Sequence, residues 1–482
     1  MWIKRQEGYC LKEIAGVHYL LPYGQKVADQ RKGIVLNETG VFLWNELKTS
    51  MTDDALAEKL VHYYSADGEA ANETQDEIQD QTKDKIQNQM QDQIQDQIRQ
   101  DVKQFVQELL SLAILQECLR PCCAEDANDA TCVYPTKEPF VGCLEIAGMR
   151  IALYGSRELI SSQFDAFFKD CASAQEKSQS ESQTKSQNEL QTESQIKMQI
   201  KMPVQMQIEI LQRTTSFHPN GKTLIRNEEL VVCENEQGYI ILFPSMNQIR
   251  EAHMTSDGRF AQIYVNGLDK EKTKEELFHA IRHFFLFFAQ RQGFFAIHSA
   301  SILYRDQVWL FSGHSGMGKS THTNLWKEQF GTEIINGDLN LIGWSNGEQT
   351  NIGQNVDKPD SKGHPIVYGM PWCGTSGIAS TKSYPLGGIV LLGRSDNDHF
   401  ESLTNDQKIV RVMQRMISPV WTEDMLETNL KCAAKLAKEV PIYYLLCTRE
   451  PSAAQVMKAQ IDQKEIRRMK EQDSIDREEM QR

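Results

Sequence analysis

The chain has 482 residues, 40% of them hydrophobic, and a formal net charge of −14. That length allows roughly two to four domains, and the acidic balance argues against a protein that coats nucleic acid or an anionic membrane surface. No run of roughly eighteen apolar residues is present, so no membrane span is expected, and the start, Met1-Trp-Ile-Lys-Arg-Gln-Glu-Gly, lacks the apolar segment of a signal peptide. The eleven cysteines include no C-x-x-C pair and read as reduced thiols of a cytoplasmic protein. Cys118, Cys122, Cys123, Cys132 and Cys143 gather loosely, at spacings that fit no common zinc pattern.

In chain order, Tyr9-Cys-Leu-Lys-Glu-Ile, Val17-His-Tyr-Leu-Leu and Gly33-Ile-Val-Leu alternate apolar and polar positions and predict three short strands. Asn37 caps a helix carrying Val41, Phe42, Trp44 and Leu47. Thr52-Asp-Asp opens a second helix with a capping residue and early acids. A third spans Val102 to Gln116, and the set makes a small winged-helix-like unit. Residues 74–100 form a Gln/Asp repeat with Ile78, Ile86, Met90, Ile94 and Ile98 at intervals of four or eight. A period of four overshoots the helical repeat, so an apolar stripe would rotate around a helix. A surface-loop expansion is the preferred reading, with outward extension of the third helix as the alternative.

Residues 140–153 suggest a hairpin. A second low-complexity stretch, about 173–209, is rich in Gln, Ser, Lys and Glu and is expected to interrupt a folded unit without joining its core. Leu230–Cys233, Tyr239–Phe243 and Phe260–Val265 read as strands, and Lys272–Gln292 as a helix whose block Phe284-Phe-Leu-Phe-Phe-Ala is buried core. From Ala453 onward the chain is polar, charged and rich in helix formers, and reads as a solvated or frayed tail.

The most informative segment is Gly313-His314-Ser315-Gly316-Met317-Gly318-Lys319-Ser320, followed by Thr321. It matches G-x-x-x-x-G-K-[ST], after the apolar run Val308–Phe311 and before a helix start. Backbone N–H groups of such a loop close around phosphate oxygens, aided by the positive helix end. Lys319 would neutralise the outer phosphates, and Ser320 would hold magnesium. The chain is therefore expected to bind ATP. Nearby, His298 opens a strand-turn unit, Asp338 interrupts an apolar strand, and Tyr368–Gly377 is a glycine-rich loop. An acid placed after such a loop and helix can coordinate magnesium or accept a hydroxyl proton.

His298, the loop 313–320 and Asp338 together resemble the core of HPr kinase/phosphorylase and its small kinase relatives, which share a fold with ATP-dependent phosphoenolpyruvate carboxykinase. The resemblance covers about residues 210–447. It implies that Asp338 deprotonates an acceptor serine, that His298 is an active-site histidine, and that Lys319 and Ser320 contact phosphate and Mg2+; Ser320 and Asp338 are the candidate metal residues, and the resemblance leaves the second magnesium ligand unassigned. The family often carries two adjacent acids where this chain has Gly337-Asp338. Its Glu-containing loop is replaced here by Pro371-Trp-Cys-Gly-Thr, which weakens the reverse, phosphorylase, reaction. Arg394 could match a family arginine. Related kinases form oligomers, so a homo-oligomer is an expectation.

Val35-Leu-Asn-Glu-Thr-Gly-Val-Phe-Leu-Trp-Asn-Glu-Leu is similar to the PqqD-like precursor-recognition domain of ribosomal peptide pathways, over about residues 8–117. That resemblance implies capture of a leader peptide as an added strand on an exposed sheet edge. The expected fold class is α/β, with an α+β N-terminal domain: a P-loop HPr kinase-like domain preceded by a small winged-helix PqqD-like domain. The expected boundaries are 1–120 for peptide binding, 139–292 for a strand-rich lead-in, 293–450 for the kinase core and 451–482 for a charged helical tail. The function expected is phosphorylation of a serine-type hydroxyl on a captured precursor peptide. The alternative is an ATP-binding chaperone that presents the peptide without phosphorylating it; carboxykinase-like chemistry is a weaker third.

Overall fold

The structure, a computed structural model, describes residues 1–69, 81–117, 138–169, 204–213, 221–345, 363–463 and 466. It is an α/β protein that divides into two compact units, residues 1–128 with 421–423, and residues 129–420 with 424–482.

Three hairpins follow directly from local chemistry. Ala15-Gly16, Ala147-Gly148 and Arg305-Asp306 each place both turn residues at positive φ. Turns of that hand match the twist of the flanking strands, and they join Ile14 to Val17, Ile146 to Met149 and Tyr304 to Gln307.

In the first unit, the strands Tyr9–Ile14, Val17–Pro22 and Ile34–Leu36 form one three-stranded sheet in that order. A second sheet, Met51–Thr52, Trp2–Arg5 and Leu115–Glu117, goes beyond the three predicted strands. Its members are two to four residues long, too short to show a period in sequence. Asn37 Oδ1 accepts from Gly40 N at 2.8 Å and starts the helix Glu38–Glu46. Thr52 Oγ1 accepts from Ala55 N at the start of Asp53–Glu69.

The third helix runs Gln81–Ser111, so the loop reading of the Gln/Asp repeat gives way to outward helix extension. Its Val102, Val106 and Leu109 are buried in the unit's core and Ile98 packs against it, while Ile94 is 57% exposed. The four-residue period carries the apolar stripe off the seam within one repeat. The helix stops at Ala113, at φ 55, where Ile114 N returns to Leu109 O. Ile78 lies outside the described residues.

Among the described residues the second unit holds two sheets. One has nine strands, with Met206–Gln212 at its middle, parallel to both Met149–Tyr154 and Phe260–Val265. Met206, Ile208 and Ile210 are buried. The end of the predicted low-complexity insert is therefore a core strand; its apolar residues alternate, and the polar ones between them mask the pattern. Residues 173–203 of that insert lie outside the described residues.

The other sheet follows the order Gln307–Ser312, Phe295–Tyr304, Leu339–Trp344, Pro365–Tyr368, Ser383–Arg394, Ile442–Cys447, His399–Glu401. Gln307–Ser312 also pairs in parallel with Ser383–Arg394, returning the path on itself. The helix Lys270–Arg291 buries Phe284, Phe285, Phe287 and Phe288, as its apolar block requires.

Two further expectations change. Residues 451–463 form a helix whose Ala454, Met457 and Ile461 are buried with Trp309, Phe311 and Trp326, so the start of the expected frayed tail is core. Cys143 is disulfide-bonded, against the expectation of reduced thiols throughout. Cys233, Cys373, Cys432 and Cys447 are unbridged. Cys118, Cys122, Cys123 and Cys132 lie outside the described residues, as do 467–482. Among the described residues no helix is long and apolar enough to cross a membrane.

Candidate active site

The strand Gln307–Ser312 ends directly at the glycine loop, and the helix Lys319–Phe330 begins directly after it. Gly318 caps that helix at φ 97 and Gly316 sits at φ 72, both in the left-handed region that favours glycine. The first N–H groups of the helix are left without intrahelical partners, a ready site for an anion.

His314, Ser315, Ser320 and Thr321 are exposed, whereas Met317 packs with the core around Phe311 and Trp326 and anchors the loop. Lys319 Nζ reaches Gly313 O at 3.4 Å. Burial pulls the Lys319 ammonium below its ordinary range, Asp338 raises it in part, and Arg415 lowers it further. A cation stripped of water beside a second cation is stabilised by any anion that arrives.

His298 and Asp338 meet across neighbouring strands. His298 pairs with Leu339, and the Asp338 carbonyl accepts from Ser299 N at 2.9 Å. The His298 Nε2 lies 3.1 Å from Asp338 Oδ1. The same histidine is tied to the glycine loop, because Ser312 Oγ donates to His298 O at 2.7 Å. Asn336 Oδ1 accepts from both Asp338 N and Leu339 N, which fixes the turn that presents the carboxylate.

The hydrogen bond from His298 holds the Asp338 carboxyl below the usual carboxylate range. Burial opposes the shift, and the charges of His298, Lys319 and Arg282 add to it. Asp338 is thus ionised at neutral pH, acting electrostatically with Lys319, and open to accept a proton.

The absence of a second acid at position 337 has a steric cause. A Cβ on Gly337 would stand 2.1 Å from Ser376 Oγ and 2.4 Å from Ser376 Cβ. The Tyr368–Gly377 segment occupies that space. Trp372 Nε1 donates to Phe278 O at 2.8 Å, Asn336 Nδ2 donates to Met370 O and Trp372 O, and a Cβ on Gly374 would lie 2.9 Å from Asp338 Cβ. The segment is a cover built over the carboxylate.

Three arginines join the site. Arg394 Nη2 donates to Gly316 O at 2.7 Å. Arg415 donates to His314 Nε2 at 2.9 Å, and its own carbonyl accepts from His298 N. Arg282, on the helix Lys270–Arg291, acts electrostatically on Asp338. Sequence reading missed Arg415, in the turn after the helix Asn405–Met413, and Arg282, within Lys270–Arg291, since neither lies in a recognisable pattern and both are far from the motif in sequence. Beside the loop, Met317, Gly318, Thr321, His322, Leu325, Arg394, Cys447, Thr448 and Arg449 line a small cleft. His322 is buried against Phe311 and Trp326, and burial pushes it down to about 4, so it is a neutral structural histidine.

The donor set also bears on magnesium. The Ser320 hydroxyl and Asp338 carboxylate are hard oxygen donors of the kind Mg2+ accepts, and that ion commonly takes few protein ligands beside phosphate oxygens and water. Among the described residues no three His, Cys, Asp or Glu side chains cluster as a metal cage.

A family model described as SNF5 / SMARCB1 / INI1 matches residues 36–215. That span is less than half of the chain, takes in both glutamine-rich segments and crosses from the first compact unit into the second. No curated protein matches the chain. Among solved structures, the chain is similar to the Hpr(Ser) kinase/phosphatase from Coxiella burnetii at 11% identity and a TM-score of 0.21, over 37% of this chain and 94% of that one.

Proposed function

We propose that the second unit is an ATP-dependent kinase that transfers the γ-phosphoryl group to a serine-type hydroxyl, and that the first unit captures the peptide carrying it. The observation that carries the kinase reading is the His298–Asp338 pair, 3.1 Å apart and knit through Ser312 to the start of the glycine loop. The loop amides and Lys319 hold the phosphates. His298 orients the Asp338 carboxylate. Asp338 accepts the hydroxyl proton as the oxygen–phosphorus bond forms and the bond to the ADP leaving oxygen breaks. Ser320 and Asp338 would hold magnesium, which when bound offsets phosphate charge. Lys319 and Arg415 supply the remaining positive charge, in a partly desolvated setting where it counts most.

Support for peptide capture comes from the first unit. Ile34–Leu36 ends its sheet order, so among the described residues its outer edge pairs with no strand. Val35 on that strand is exposed, as are Tyr63 and Tyr64 on the helix Asp53–Glu69, with the Tyr63 ring 4.5 Å from that of Phe42 on the helix Glu38–Glu46. An edge with aromatic neighbours suits an added strand. Binding a leader there would raise the local concentration of its attached core peptide.

The test is phosphoryl transfer from labelled ATP to candidate precursor peptides, with Asp338→Asn alongside. Loss of a general base costs on the order of a hundredfold to ten-thousandfold in rate, with ATP binding retained. A wild-type protein that binds both ATP and peptide yet labels nothing is a peptide-presenting chaperone instead. Equal labelling by Asp338→Asn removes Asp338 from the base role.

A further inference from the structure

Among the described residues, Arg282 is a cation without a hydrogen-bonded partner. It is half-buried on the helix Lys270–Arg291 and, among the described residues, makes no hydrogen bond or ion pair. The acids that act on it, Asp338 and Glu229, do so only through space. Its helix neighbours place it on the face that meets the covering segment. Phe278 and Phe285, four residues before and three after, share its helical face. Their rings lie 5.9 and 5.3 Å from the Trp372 ring, and Phe278 O takes the Trp372 indole hydrogen. Trp372 leads into Gly374, the residue that overlies the Asp338 carboxylate. Arg282 therefore comes to the carboxylate along the covering segment, from a different element than Lys319 and the phosphate loop.

The other ionisable groups on that stretch of helix carry no charge at neutral pH. Burial lowers His279, and burial with Arg282 beside it takes His283 down to about 3. Burial likewise lowers Arg282 itself, so the guanidinium has lost water without gaining an anion. An incoming carboxylate or phosphate would restore that loss in a two-pronged hydrogen bond.

We propose that Arg282 is an acceptor-side specificity residue that binds an acidic group next to the hydroxyl to be phosphorylated. The inference rests on the kinase reading above and narrows its substrate to hydroxyls flanked by negative charge.

The experiment uses the full chain with Mg-ADP and two synthetic probes, a serine peptide flanked by glutamates and its glutamine-flanked counterpart. Wild type is expected to bind the acidic peptide roughly tenfold tighter, the size a charge-assisted hydrogen bond supports. Arg282→Gln should lose that preference, and Arg282→Lys should keep part of it, with the Kd for ATP unchanged in both. Equal binding of the two peptides by wild type overturns the proposal, whatever the variants do. So does an Arg282→Gln protein that keeps the preference, or one whose ATP affinity falls with its peptide affinity, which would put the arginine on the donor side. Labelling from ATP is read separately. Acidic preference without labelling upholds Arg282 and removes the kinase; equal labelling of both peptides with equal binding upholds the kinase and removes Arg282.

Discussion

The two sides of the candidate site are built differently. On the proposed function, the donor side is contiguous: one strand end, six loop residues and a helix start, with Lys319 and Ser320 adjoining. The acceptor side is assembled from four separated segments, around His298, Asp338, Gly374 and Arg282. A phosphate cradle needs backbone N–H groups in one tight turn, which a short sequence can specify by glycine placement alone. A proton acceptor with its orienting partner and cover needs side chains from different directions, which only strand pairing and packing bring together.

The largest effect that would sharpen this contrast is on the donor side. Under the proposed function, Lys319→Ala is expected to lower kcat about a hundredfold or more, while leaving the proposed peptide binding by the first unit unchanged, as measured by labelled-ATP transfer and peptide titration. Loss of peptide binding as well would mean that the two activities are not separable.

The next effect is steric and lies on the acceptor side. Gly337→Ala puts a methyl where Ser376 already stands and should destabilise by about 1–3 kcal/mol, read as a lowered midpoint in thermal unfolding. Ser376→Gly in the same chain should recover most of that loss. A double variant no more stable than Gly337→Ala alone would show that the covering segment is not what excludes a side chain at position 337.

The smallest effect is a shift along the pH axis. Asp338 has a depressed folded-state pKa, so its contribution to stability is present above the unfolded value of about 4 and is lost as pH falls through the folded value. Activity that requires the carboxylate should accordingly persist to mildly acidic pH. In His298→Asn the first cause of the depression is removed, and the acid limb of the kcat profile should move upward. An acid limb unmoved by that substitution would separate His298 from Asp338 function.

Much of the fold could be read from local pattern. The hairpins at Ala15-Gly16 and Ala147-Gly148, the Asn37 cap and the buried Phe284–Ala289 block all rest on interactions within a few residues. Segments hidden by composition were misread. Gln81–Ser111 is helical because glutamine and lysine are good helix formers even without an apolar stripe. Met206–Gln212 is a central strand because both its neighbours are strands that need a partner.

The sequence by itself determined the glycine loop with its flanking strand and helix, since turn geometry and helix start are set by adjacent residues. It also named His298 and Asp338. Tertiary structure alone decided that these two meet, that Gly337 has no room for a second acid, that Arg415 reaches the glycine loop at His314, and that Arg282 acts on Asp338. The physical reason is range: a phosphate cradle is made by neighbouring peptide groups, whereas paired charges across strands exist only after the sheets and the Lys270–Arg291 helix have packed.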